Sequence, residues 1–174
     1  VSTAYTWEGL TLRAWYKKIF RAPTLNDLYY TQVGNRNLKP EYTMQYSLSS
    51  GYRCGFTDAF MQSVKLQGDV YYNEVTNKIV AYPSGQQFRW TMLNLGKVKI
   101  FGVEASAEGS ARVGMVDLGL RLNYTYQSAR DYTDKADSYY GHQIPYIPLH
   151  AGSVVGRAHY RGWNLNYSFI YTGE

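Results

Sequence analysis

Aromatic and cationic side chains gather in three stretches of the chain: Tyr29 and Tyr30 in the first, Tyr82, Phe88, Arg89 and Trp90 in the second, and Tyr132, Tyr139, Tyr140 and Tyr146 in the third. Flat π faces with a few cations suit a bulky, partly apolar molecule, held by stacking and burial rather than by bond-making. Packing of one loop against another uses the same residue types. Tyr82, Arg89, Trp90, Tyr139 and Tyr140 are the candidate ligand contacts.

Other chemistry finds less support. Asp131, Asp134 and Asp137 recur at a spacing that suits a hard cation, but the glycine turn and closing carboxylate of a calcium loop are missing, so no metal site is expected. His142, His150 and His159 are scattered, with no serine motif, paired-cysteine site or phosphate loop beside them. Glu104 and Glu108 share a strand face but lie too far apart for an acid–base pair. Neither catalysis nor a cofactor is expected. Cys54 is a lone cysteine, placed in a short turn, with no internal partner.

The elements that carry these residues read as strands. Val116, Leu118, Leu120, Leu122, Tyr124 and Tyr126 alternate with Asp117, Gly119, Arg121, Asn123, Thr125 and Gln127, a period of two with one greasy and one wet face. The same alternation runs through 42–53, 65–73 and 163–171, and more weakly through 10–18, 98–108 and 150–160. Several approach the roughly 9–11 residues a tilted strand needs to cross hydrocarbon. The fold expected is all-β: seven antiparallel strands of a transmembrane β-barrel wall, with a parity change near Gly102 read as a bulge.

Connections alternate in length. Residues 54–62, 109–114 and 161–162 are short; 19–41, 74–97 and 128–149 are far longer than hairpin loops. Short turns face the periplasm and long loops face outward in bacterial barrels, which gives each strand a direction. Tyr16, Tyr42, Tyr72, Tyr126 and Tyr171 then fall near the outer ends, and Tyr52, Tyr160 and Trp163 near the periplasmic ends, as two aromatic girdles.

Composition agrees with a barrel. The mean hydropathy of −0.42 reflects a polar lumen face and does not argue against a membrane. The net charge of +5 is spread singly, without the basic helix or stacked-aromatic motif of a nucleic-acid binder. Lipopolysaccharide is one anionic partner for such cations, and solvation of lumen and loops is their other use. A passive porin wall and a soluble barrel or sandwich are the alternatives; loop signatures argue against the first and strand length against the second.

Those signatures are Phe20-Arg21-Ala22-Pro23-Thr24-Leu25, Asp27-Leu28-Tyr29 and Gly34-Asn35-Arg36-Asn37-Leu38-Lys39-Pro40-Glu41, followed by Asn94-Leu95-Gly96 and Gly102-Val103-Glu104. Pro23 disfavours helix at Ala22, Gly34 and Asn35 suit left-handed turns, and Phe20 and Pro40-Glu41 pin the loop ends, with Arg21 and Glu41 as supports. The set resembles TonB-dependent outer-membrane receptors over residues 10–109, nearest in texture to the vitamin B12 receptor-like group of Bacteroidetes.

The resemblance implies a plugged barrel in the bacterial outer membrane, of which residues 1–174 form one partial domain without plug, first strands or closing strands. It implies uptake of a scarce nutrient with energy from the TonB complex, and as partners the rest of the barrel, the plug and membrane lipid. No charged-then-apolar leader opens the chain, so it reads as a mature start or an internal piece. Haem receptors of this family carry a histidine in the first outward loop; Phe20–Leu38 contains none. A corrinoid or ferric siderophore is therefore the expected cargo.

Overall fold

A computed structural model describes residues 1–57, 60–83 and 90–173. Eight antiparallel strands form one meandering sheet in strict chain order: β1 (Ser2–Trp7), β2 (Leu10–Arg21), β3 (Glu41–Gly55), β4 (Met61–Pro83), β5 (Trp90–Val113), β6 (Val116–Asp131), β7 (His150–Tyr160) and β8 (Trp163–Thr172). A five-residue helix, α1 (Leu25–Tyr29), interrupts the first long connection. The sheet is open, with β1 and β8 at its edges.

The strand count corrects the sequence expectation of seven. β1 escapes recognition by alternation because its six residues are mostly small and polar, and because its turn is Glu8-Gly9 rather than a familiar Asn-Gly. Both turn residues take positive φ, 41° and 86°, as a two-residue mirror-image hairpin turn requires. A Cβ on Gly9 would also sit 2.5 Å from the Arg53 carbonyl oxygen, so only glycine fits.

Register tests the two faces directly, because partners across an antiparallel ladder share a face. Leu12 pairs with Ser50, Ser50 with Gly68, Gly68 with Ala105, Ala105 with Tyr124, Tyr124 with Gly152 and Gly152 with Tyr171. A parallel row joins Val64, Gly109, Leu120, Gly156 and Tyr167. Followed from the short turns out to the row Tyr16, Tyr46, Tyr72 and Phe101, this face carries no charged strand residue among those described. Large apolar side chains such as Leu120, Leu165 and Phe169 stand half-exposed or more on it. Water would penalise that arrangement and lipid rewards it.

The opposite face is ionic. Lys65 lies beside Glu108 and Glu108 beside Arg121, whose Nη2 stands 2.9 Å from a Glu108 oxygen. Arg13, Ser49, Asp69, Glu104 and Thr125 form another polar row.

Three further expectations need correction. The stretch 74–97 is not a free loop: 74–83 and 90–97 continue β4 and β5 as a paired ribbon. Eleven residues beyond Tyr72 reach roughly 36 Å along the strand at about 3.3 Å each, so the ribbon projects well past the apolar band. Gly102 marks no bulge, since pairing runs unbroken through Tyr71 and Gly102; the register shift falls between Met61 and Ser63. Gly102 instead leaves room for the Tyr71 ring, whose Cζ lies 2.1 Å from where a Cβ would stand. Cys54 lies within β3, just before its last residue Gly55, rather than in a turn.

The parity change has its own cause. Val75, Val98, Ile100 and Ala129 lie on the ionic side's outer end but form a buried apolar cluster, closed by Ile144 from the last long connection. Local burial under a folded-over segment replaces the lumen there. An open sheet with one lipid-directed face should not persist alone in water. Expressed by itself, the chain is expected to associate or to require detergent; a monodisperse detergent-free monomer with a sharp thermal transition would contradict the lipid assignment.

Candidate functional site

Two outward connections converge on the β4–β5 ribbon. The first, 22–40, is fixed at its base. Thr24 caps α1: its hydroxyl accepts from the Asp27 N–H, and the Asp27 carboxylate accepts from the Thr24 N–H, at 3.2 and 2.9 Å. Arg21 reaches Asp27 at 3.2 Å and Glu41 at 3.7 Å. Glu41 is buried, lies 3.5 Å from Lys78, and accepts from the Ile79 N–H at 3.1 Å.

The tip of this connection is tied to the ribbon. Asn35 donates to the Met92 carbonyl at 3.0 Å, and the Met92 N–H donates to the Val33 carbonyl at 2.9 Å. Asn94 accepts from the Lys39 N–H at 2.8 Å and donates to the carbonyls of Lys39 and Asn77. Pro40 accepts from the Asn77 side chain at 3.5 Å. Gly34 and Asn35 do not take the left-handed conformations expected of them; Gln32 does, at φ 70°. Gly34 is required because a Cβ would stand 2.7–2.8 Å from backbone atoms of Tyr30 and Leu28. Phe20 packs on Tyr42 with ring centres 5.3 Å apart, and Pro23 precedes the cap.

The last connection, 132–149, is laid against the free outer end of β6. Ile144 donates to the Ala129 carbonyl, and the Asp131 N–H donates to that of His142. Gln143 accepts from the Ala129 N–H and donates to the carbonyls of Gln127 and Ile147. Asp131, Asp134 and Asp137 each accept from backbone or side-chain donors one or two residues ahead, which accounts for their spacing as turn formers.

Between this segment and the ribbon lies a cleft of about 940 Å³. Tyr82, Trp90, Tyr139, His142 and Tyr146 line it, over an apolar floor that includes Ile79 and Ile144. The Trp90 and Tyr146 rings pack at a tilt of 51° with their centres 5.1 Å apart. Burial, then Tyr139 and Asp137, raise the Tyr82 phenol above its ordinary pKa. Of the five candidate contacts, Tyr82, Trp90 and Tyr139 come together here. Tyr140 does not: it packs edge-on against Tyr132 at 5.2 Å, away from the cleft. Arg89, like Phe88, lies outside the described residues. Tyr146 and His142 take the places that the sequence suggested for Tyr140, and the pairing of the 143 region with β6 that turns them inward has no sequence periodicity to reveal it.

A family model for "TonB dependent receptor-like, beta-barrel" matches residues 2–174. The chain belongs to that family. It is a bacterial outer-membrane β-barrel domain of a receptor family, not an enzyme, and neither a porin wall nor a soluble sandwich. The Vitamin B12 transporter BtuB of Vibrio vulnificus is 33% identical over 115 residues, which are 66% of this chain and 17% of that protein. The transporter of the same name from Photobacterium profundum is 30% identical over 112 residues, 64% of this chain and again 17% of the relative. The matched stretch is thus about one sixth of each relative's length.

Proposed function

We propose that this domain forms part of the wall and outward rim of a receptor that takes up a corrinoid, with the cleft between 132–149 and the β4–β5 ribbon as one side of the cargo site. The carrying observation is the aromatic cleft itself, an apolar floor ringed by Trp90, Tyr146, Tyr139 and Tyr82. Such walls bind large partly apolar ligands through area and a few oriented polar groups. Similarity to two vitamin B12 transporters supports a corrinoid over a ferric siderophore. On this reading the remaining barrel and an N-terminal plug complete the site, and the plug draws on the TonB complex for the energy of import.

Loss of one or two central aromatic anchors is typically worth 10-fold or more in affinity. In the full-length receptor, Trp90→Ala with Tyr139→Ala is expected to weaken cyanocobalamin binding by about 10- to 100-fold, measured by titration calorimetry, while Tyr140→Ala changes it little. Unchanged affinity in the double variant would remove the cleft from the site. Tight haem binding abolished by His142→Ala would replace the corrinoid by haem, since imidazole ligates iron axially.

A further inference from the structure

One cross-strand row lies immediately outward of the aromatic row on the lipid-directed face: Lys18, Met44, Glu74, Lys99 and Arg130, paired in unbroken register across β2 to β6. Lys97 stands one step further out on the same face, opposite Thr76. These are the first charges met on that face on leaving the apolar band, and cations outnumber the single acid, Glu74. The periplasmic ends of the same strands carry no charged residue on this face among those described.

The row is only partly balanced, with Glu74 opposite Lys99 on β4 but Arg130 opposite it on β6. Lys99 and Arg130 are direct cross-strand partners, and like charges so placed repel. Neither of them, nor Lys18 or Lys97, forms an ion pair with a described residue. The Tyr132 ring lies 5.1 Å from the Lys99 ammonium, and Ser128 accepts from Arg130 Nε at 3.1 Å, so both heads are held in place. Lys18, Lys97 and Arg130 are exposed.

From this arrangement we infer that Lys97, Lys99 and Arg130, flanked by Lys18, form a binding site for the phosphate groups of the glycolipid in the outer leaflet. An anion seated between Lys99 and Arg130 relieves their repulsion with charge-assisted hydrogen bonds. Acyl chains of the same molecule then lie along the apolar face below, against Tyr72, Phe101 and Val103. The height just above the aromatic row is the headgroup level. The one-sidedness of the charge matches a membrane whose two leaflets differ. The inference rests on the outward direction of the long connections and not on the identity of the cargo.

The test uses the full-length receptor in detergent, titrated with bisphosphorylated and with dephosphorylated lipid A and read by native mass spectrometry. Wild type is expected to retain the bisphosphorylated form preferentially. K97Q/K99Q/R130Q should lose about 100-fold of that retention, at roughly 1 kcal/mol for each of the three cations, with cargo affinity unchanged. Equal retention by the triple variant overturns the site. Should that variant fail to insert, the wild-type comparison decides alone: no preference for the phosphorylated lipid overturns it too.

Discussion

Leu120→Arg is expected to destabilise the intact receptor by about 2–4 kcal/mol, and Asn123→Arg by far less, the contrast expected between lipid-facing and lumen-facing positions of a barrel wall. Leu120 stands about half-exposed in the uncharged band of the lipid-directed face, between Gly109 and Gly156. Neither glycine offers a side chain that could shield or pair a guanidinium, and the position is several residues below the first charged row. Asn123 faces the other way, between Ser106 and Ser153, and donates to the Ser153 hydroxyl at 2.9 Å. An arginine there loses one exposed hydrogen bond and stays in the polar lumen near Glu104 and Glu108, the inner-face acids of the neighbouring strand. Reversible unfolding in detergent or lipid would give both numbers. Equal losses would mean that the two faces do not see different solvents.

That contrast was legible in the sequence because alternation is imposed wherever one face meets lipid. Leu118 to Tyr126 and Trp163 to Tyr171 could be placed by inspection, and the register bears the faces out strand by strand. Legibility ends where the constraint ends. Beyond Tyr72 the ribbon leaves the apolar band, so Val75, Ile79 and Val80 no longer need to alternate, and a paired ribbon resembles a loop. Backbone hydrogen bonds hold it regardless of side-chain pattern. The family motifs were legible as types but not as mechanisms: Gly34 serves close approach to α1 rather than a left-handed turn. The aromatic cleft was half legible, since Tyr139 and Tyr140 are indistinguishable by composition. Only the fold of 132–149 turns one into the cleft and the other onto Tyr132.

Glu41→Ala is expected to cost about 2–4 kcal/mol and to loosen the whole 22–40 connection, because it breaks a largely buried charge cluster and orphans a backbone donor together. Glu41 is 7% exposed, with Arg21 and Lys78 on its two oxygens and the Ile79 N–H donating to one of them. Its removal leaves Lys78 without an ion-pair partner among the described residues and Arg21 with Asp27 alone, which is already engaged in capping α1. The cost is held below that of a fully buried pair because Arg21 remains 44% exposed at its side chain and can turn to water. Glu41→Gln separates the two contributions: it keeps an acceptor for Ile79 but removes the charge, so about half the loss should remain. Limited proteolysis at 22–40, alongside the thermal transition of the intact receptor, reads both effects. Accelerated cleavage is expected in the order wild type, Gln, Ala. A Gln variant as labile as Ala would assign the whole effect to charge, and an Ala variant as resistant as wild type would show that the loop is held by its ties to Met92 and Asn94 alone.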